Sequence, residues 1–114
     1  MTREFGKHFL VEFIGCPPDG LKHVDDVRSS FLDAAEKSRA GIIESHFHQF
    51  EPYGVSGVIL IRWSHFAVHT WPDQGYAAFD VFTCGEMDPE VAIEELRRSF
   101  RAGRVEMEVR SRGF

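Results

Sequence analysis

The chain has 114 residues, of which 43% are hydrophobic and 27% charged, and its formal net charge is −5. These values are typical of one globular domain, residues 1–114, and an acidic chain without a basic patch argues against nucleic acid as a main partner. No apolar run approaches the roughly 20 residues that span a bilayer, and the N-terminus lacks a signal-peptide hydrophobic region, so we expect a cytoplasmic protein without a membrane partner.

The first part of the chain predicts a strand, a helix and three further strands. Aromatic and β-branched residues predict a strand over 8–15, and the Cys-Pro-Pro-Asp-Gly segment after it predicts a turn. Apolar residues at helical spacing predict a helix over 23–41. The next three predicted strands cover residues 42–50, 55–63 and 65–71.

The remaining elements are a strand, a helix and a closing strand. A strand is predicted over 76–85, and a helix over 88–103 has Asp88 as its N-cap and Pro89 in its first turn. An alternating strand is predicted over 104–112. The order β-α-β-β-β-β-α-β with short central links predicts an α+β fold, a two-layer sandwich with an antiparallel sheet and two helices on one face.

Four reactive side chains lie on or beside three successive predicted strands: Ser56, Ser64, His69 and Cys84. Neighbouring strands can place such groups side by side. A serine near a histidine suggests a hydrolase, and a cysteine near a histidine suggests a thiol nucleophile, but the sequence signature of neither class is present. Ser64 itself is predicted between two strands.

Histidine and cysteine residues outside this set carry weaker signals. His46 and His48, together with His65 and His69, have the side chains that zinc prefers, but the H-x-H spacing alone is a weak motif, so no metal site is predicted. The two cysteines, Cys16 and Cys84, are expected to be free thiols, as is usual in the cytoplasm.

Three short blocks occur in the order PYGVSGV, HTWP and FTCG, accompanied by FGKHFLVEFIGC near the start and the helix DPEVAIEELRRSF. In this order they are specific, and the chain resembles the short prokaryotic S-adenosylmethionine decarboxylase proenzymes from residue 6 to about residue 112. The resemblance implies a self-cleaving decarboxylase of S-adenosylmethionine that serves spermidine synthesis.

The resemblance also implies roles for the reactive side chains. The hydroxyl of Ser64 attacks the carbonyl of Trp63, and the resulting ester eliminates to leave a pyruvoyl group in place of the serine. His69 is the base that removes the Cα proton, and Ser56 assists processing. Cys84 is the acid that protonates the product carbon, since a thiol titrates within reach of neutral pH.

Substrate-binding residues follow from the same resemblance. Phe50 and Trp71 correspond to aromatic residues that sandwich the adenine, and such rings also suit a sulfonium cation. Asp73 stands where the family usually has a glutamate that binds the ribose hydroxyls. The family takes these residues from a partner subunit, so a homodimer is implied. Without the resemblance, Phe50 and Trp71 would be core or interface aromatics, and Cys84 a small buried hydrophobe.

One position departs from the family pattern. The residue before the cleaved serine is typically glutamate, and here it is Trp63. Only the carbonyl of that residue takes part in the acyl shift, but a bulky indole changes the surroundings of the cleaved bond. Three outcomes remain open: an S-adenosylmethionine decarboxylase, a pyruvoyl-dependent decarboxylase of ornithine or arginine, and an unprocessed binding or regulatory homologue.

Overall fold

One antiparallel sheet of six strands organises residues 3–114, the part of the chain that the computed structural model describes. The strands lie in the spatial order β2-β3-β4-β5-β1-β6. Their bounds are β1 (Glu4–Ile14), β2 (Ile42–Gln49), β3 (Val55–Ile61), β4 (Ser64–Trp71), β5 (Tyr76–Thr83) and β6 (Arg104–Gly113). The helices are α1 (Asp19–Lys22), α2 (Val24–Lys37) and α3 (Pro89–Phe100), and a 3₁₀ turn covers Pro72–Gln74.

The predicted α+β fold is confirmed, with differences at the ends of elements. Part of the segment expected to be only a turn forms α1. The helix predicted over 23–41 stops at Lys37, because Ser38 leaves helical geometry and Arg39 has a φ of +64°. The strand predicted over 55–63 stops at Ile61, because the chain reverses at residues 62–63.

The core lies between one face of the sheet and the helices α2 and α3. Alternate residues of each central strand point into it, as Phe66, Val68 and Thr70 do on β4. The helices contribute apolar residues at helical spacing: Val27, Phe31, Ala34 and Ala35 from α2, and Ala92, Ile93, Leu96 and Phe100 from α3. Each large side chain buried in this way stabilises the fold by roughly 1.5–3 kcal/mol.

The opposite face of the sheet is not buried in the same way. Val58 and Leu60 on this face of β3 are 43% and 46% exposed, which is unusual for apolar residues in a central strand. His65, His69 and Trp71 of β4 share that face, because side chains alternate along a strand. We call this surface the open sheet face. Within residues 3–114 no helix has the length and apolarity to cross a membrane.

Candidate active site

A two-residue turn carries the predicted cleavage position. Ile61 of β3 pairs with Ser64 of β4, so only residues 62 and 63 connect the two strands. Ser64, which the sequence places between strands, is therefore the first residue of β4. Its φ is +136°, a conformation that residues other than glycine rarely adopt and that costs of order 1–3 kcal/mol. The peptide bond between Trp63 and Ser64 is therefore followed by a residue with a strained backbone.

The carbonyl of Trp63 is held by two donors from a single residue. The backbone N–H of Cys84 donates to this oxygen at 2.9 Å, and the Cys84 thiol donates to it at 3.3 Å. Donors aimed at a carbonyl oxygen stabilise the negative charge that develops there when a nucleophile attacks its carbon. The arrangement therefore favours attack on this carbonyl.

The Trp63 side chain packs against the segment that provides those donors. The indole is half-buried and lies so close to Gly85 that a Cβ there would be 2.0 Å from its Cε3 atom. Gly6 approaches the same segment from β1, since a Cβ at Gly6 would be 2.7 Å from the Thr83 carbonyl oxygen. Two glycines thus permit the close packing that holds Cys84 against the turn. We call Trp63, Ser64 and Cys84 the turn cluster.

Ser56 and His69 form a second reactive pair. They lie directly opposite each other on β3 and β4, and Ser56 Oγ is 2.7 Å from His69 Nδ1. A histidine in contact with a serine hydroxyl can exchange a proton with a bound group while the hydroxyl orients its ring.

Aromatic side chains surround this pair. A cavity of about 300 Å³ is lined by residues that include Phe50, Tyr53, Ser56, His69 and Trp71. The Trp71 ring stacks on Tyr76 with centroids 5.2 Å apart. Sequence reasoning missed both tyrosines, although the Pro-Tyr-Gly block and the pairing of Trp71 with Tyr76 across the β4–β5 hairpin were available signals. We call Phe50, Tyr53, Ser56, His69 and Trp71 the aromatic cluster.

The third predicted binding residue, Asp73, lies just outside the aromatic cluster. It is exposed in the 3₁₀ turn that follows Trp71. Pro72 starts that turn and is buried, so the backbone that carries the carboxylate is anchored. The carboxylate is therefore available to a ligand that extends from the cavity.

The two clusters lie at opposite ends of β4. Ser64 begins the strand and His69 lies five residues further on, which corresponds to roughly 16 Å in an extended chain. Within residues 3–114, the four reactive side chains consequently form two pairs rather than one constellation. Ser64 is close to Cys84, and Ser56 is close to His69.

Known proteins are similar to this chain in both sequence and fold. The family model for S-adenosylmethionine decarboxylase matches residues 7–113. The "S-adenosylmethionine decarboxylase proenzyme" of Thermodesulfovibrio yellowstonii is 47% identical over 96 residues, 83% of this chain and 71% of that protein. The relative with the same name from Thermotoga petrophila is 45% identical over 112 residues, 97% of this chain and 86% of its own. The chain belongs to the S-adenosylmethionine decarboxylase family.

A solved structure of the family supports the architecture. The crystal structure of the adenosylmethionine decarboxylase from Aquifex aeolicus superposes with a TM-score of 0.91 at 34% identity, covering 99% of this chain and 94% of that one. The predicted family membership and the predicted sheet-and-helix fold are both confirmed.

The two cysteines of this S-adenosylmethionine decarboxylase homologue differ in their surroundings. Both thiols are unpaired, as predicted. Cys16 is buried, and burial raises the pKa of its thiol, which keeps it protonated and unreactive. Cys84 is exposed and contacts Trp63, so its interpretation as a buried hydrophobe is wrong.

A histidine–aspartate network occupies the open sheet face. His8 and His65 each place Nε2 2.7 Å from the same Asp80 oxygen, Oδ2, and the three side chains are close enough to hold a metal ion. Arg112 lies 3.1 Å from His8 Nδ1, and because a guanidinium only donates, this contact favours the His8 tautomer with its proton on Nε2. That proton points at Asp80, so this arrangement is a hydrogen-bond network. Sequence reasoning left His8 and Asp80 out.

Proposed function

We propose that this chain is a proenzyme that cleaves itself at Trp63–Ser64 and becomes a pyruvoyl-dependent decarboxylase of S-adenosylmethionine in spermidine synthesis. The observation that carries the proposal is the Trp63 carbonyl, held by Cys84 next to a serine with a φ of +136°. Processing needs an activated carbonyl beside a serine hydroxyl, and the turn cluster provides both. The unpaired thiols are consistent with a cytoplasmic location.

Self-cleavage begins with an internal rearrangement. Ser64 Oγ forms a bond to the Trp63 carbonyl carbon, the bond from that carbon to the Ser64 nitrogen breaks, and the hydroxyl proton passes to the nitrogen. The Cys84 N–H stabilises the charge on the oxygen during this step. The product is an ester, and strain at Ser64 is relieved when the peptide bond is lost.

Elimination completes the cleavage. His69, oriented by Ser56 at 2.7 Å, takes the Cα proton of residue 64, and Trp63 leaves as a carboxylate. The remaining unsaturated amine takes up water and releases ammonia, which leaves a ketone at the new N-terminus. His69 must come from a second subunit, because the His69 of the same chain is roughly 16 Å along the strand.

The residues of the turn cluster fit a pyruvoyl group at position 64. That group supplies a ketone that holds the substrate amine and accepts the electron pair released with carbon dioxide. The Cys84 thiol, 3.3 Å from the Trp63 carbonyl oxygen, is close enough to position 64 to donate a proton to the product carbon. Its exposure leaves it accessible to substrate.

The aromatic cluster supports a nucleoside substrate rather than a bare basic amino acid. Phe50 and Trp71 expose 46% and 47% of their surface beside the cavity, which leaves ring faces for an adenine and for a sulfonium. Asp73 offers an acceptor for ribose hydroxyls. Ornithine and arginine lack the nucleobase and the ribose hydroxyls that the two rings and Asp73 would bind together.

A homodimer follows from the separation of the two clusters. A two-fold interface presents the same surface from both subunits, so it can bring the turn cluster of one subunit to the aromatic cluster of the other and complete two sites at once. We propose that the open sheet face is this interface. It carries exposed Val58 and Leu60 together with the side chains of His69 and Trp71.

Intact-mass spectrometry of the purified protein tests the proposal. We expect two chains, residues 1–63 and a second chain that starts at position 64 with a ketone in place of the serine nitrogen. Ser64→Ala should remain one chain and release no carbon dioxide from carboxyl-labelled S-adenosylmethionine. Activity on ornithine or arginine alone would overturn the substrate, and an intact natural chain would favour the unprocessed binding homologue.

A further inference from the structure

The hydroxyl of Thr83 is a buried polar group without a hydrogen-bond partner among residues 3–114. The residue is 7% exposed, so its hydroxyl is largely shielded from bulk solvent. Thr70 is buried to the same degree, yet its hydroxyl donates to the Leu21 carbonyl at 2.8 Å and accepts from the Val55 N–H at 2.9 Å. Since buried hydroxyls are nearly always paired, an exception calls for an explanation.

The position of Thr83 suggests that explanation. It is the last residue of β5 and lies directly opposite Ser64 in the β4–β5 ladder. Opposed residues in an antiparallel pair project to the same side with Cβ atoms about 4.5–5.5 Å apart, a gap that two hydroxyls can span with one hydrogen bond. The next residue, Cys84, holds the carbonyl that Ser64 attacks.

We propose that the Thr83 hydroxyl is a processing residue that accepts a hydrogen bond from Ser64 Oγ and aims it at the Trp63 carbonyl carbon. This inference rests on the proposed self-cleavage and assigns a further residue to it. Two consecutive residues then have complementary roles. Cys84 binds the Trp63 carbonyl, which is the electrophile, and Thr83 binds Ser64 Oγ, which is the nucleophile. The hydrogen bond from Ser64 also gives the buried Thr83 hydroxyl a partner during the acyl shift.

The chemistry needs no co-reactant. The Ser64 Oγ bond to the Trp63 carbon forms as the bond from that carbon to the Ser64 nitrogen breaks, and the proton of Oγ ends on that nitrogen. Thr83 keeps its own proton throughout. Its contribution is the orientation of the attacking oxygen, a factor on which such reactions depend strongly.

The test compares Thr83→Val with Thr83→Ser in the full-length chain. Valine has the shape of threonine without the hydroxyl, and serine keeps the hydroxyl without the methyl group. The chains are produced by cell-free synthesis, and cleavage is followed by intact mass with and without hydroxylamine, which cuts the ester and so reports the acyl shift separately. We expect ester formation to slow about tenfold or more in Thr83→Val and to stay within about threefold in Thr83→Ser.

Thermal unfolding separates this role from a structural one. Thr83→Val should melt at or above the temperature of the natural chain, because an unpaired buried hydroxyl is removed. Thr70→Val, the matched control, loses two hydrogen bonds and should melt lower while forming the ester at the natural rate. Should Thr83→Val fail to fold, Thr83→Ala against Thr83→Ser isolates the hydroxyl instead.

The outcomes are distinguishable. Ester formation in Thr83→Val at the natural rate would overturn this inference and leave the proposed function standing. A rate loss in both the valine and the serine variants would also overturn it, because the hydroxyl would then be irrelevant. A natural chain that never forms the ester would instead overturn the proposed self-cleavage.

Discussion

Trp63 contributes to the turn through its side chain as well as through its carbonyl. Its indole covers Gly85 so closely that a Cβ there would clash with the ring, and the neighbouring Cys84 donates to the Trp63 oxygen. A bulky residue at this position could have been an obstacle to the acyl shift. The packing indicates instead that the indole positions the segment that donates to the Trp63 carbonyl oxygen.

Shortening this side chain should therefore slow cleavage. Trp63→Ala uncovers Gly85, and the loss of half-buried contacts should lower the free energy of unfolding by about 1–3 kcal/mol. Trp63→Glu, the residue typical of the family, should not cleave faster than the natural chain. The measurement is the rate of cleavage by intact mass, and Arg62→Ala, in the same turn but exposed, is the control. Faster cleavage in Trp63→Glu would show that the indole hinders the reaction.

Replacing Cys84 should separate processing from turnover. Cys84→Ala keeps the backbone N–H that holds the Trp63 carbonyl, so cleavage should survive. Decarboxylation should fall by about two orders of magnitude or more, or protonation at the wrong carbon should convert the pyruvoyl group to alanine. Carbon dioxide release and intact mass report these effects, with Cys16→Ala as the control. Unchanged turnover would assign Cys84 to packing alone.

The β3–β4 hairpin explains which parts of the site the sequence could predict. Alternation along HFAVHTW predicts which residues of β4 are buried, and the structure agrees. Ser64 and His69 are close in sequence but far apart in space because a strand is extended. Ser56 and His69 are thirteen residues apart and in contact. A two-residue turn at 62–63 implies that pairing, but the predicted strand ran through the turn.

Other features depend on contacts that no local pattern contains. The unpaired hydroxyl of Thr83 follows from where β5 ends against the core. The network of His8, His65 and Asp80 joins three strands, β1, β4 and β5. Sequence spacing does not report such long-range neighbours, whereas the family motifs single out Ser64 and Cys84 without any geometry.

The end of the β4–β5 hairpin should determine substrate class. Trp71→Ala removes an exposed ring that stacks on Tyr76. The loss should weaken the binding of S-adenosylmethionine by about 1–3 kcal/mol, as for other base-stacking aromatics. Tyr76→Phe keeps the stack and removes only a hydroxyl that donates to Glu12, so it is the control. Calorimetric titration into the Ser64→Ala chain measures binding apart from turnover. An equal loss of affinity for ornithine would contradict a nucleoside site.

The proposed dimer makes a specific prediction about mixtures of two variant subunits. When each variant is prepared alone, Ser64→Ala should remain one chain without an ester. His69→Ala should stop at the ester. A heterodimer contains one complete site, made from Ser64 of the His69→Ala subunit and the partner's His69. Co-refolding should therefore restore cleavage, and only of the His69→Ala chain, which mass spectrometry identifies directly.

A second mixture is the matched control. Ser56 and His69 belong to the same cluster, so a heterodimer of Ser56→Ala and His69→Ala has a defect in both sites and should not regain the natural rate. Restoration in this control, or no restoration in the first mixture, would contradict a site shared between subunits. Sedimentation of the natural chain at micromolar concentration should show a dimer.

The two-residue turn between β3 and β4 has a consequence for refolding. Once that turn is cut, residues 1–63 and the chain that starts at position 64 are held together by sheet pairing, core packing and side-chain bonds such as His8–Asp80, and β4 begins at a chain end. A linked hairpin closes with a high effective concentration, but two separate chains must find each other by diffusion. The uncut precursor should therefore recover its subunit fold with less dependence on dilution than the mature protein, in which two chains must associate before each subunit can fold. Only the precursor can form this sheet as one linked chain, without the entropic cost of bringing two chains together.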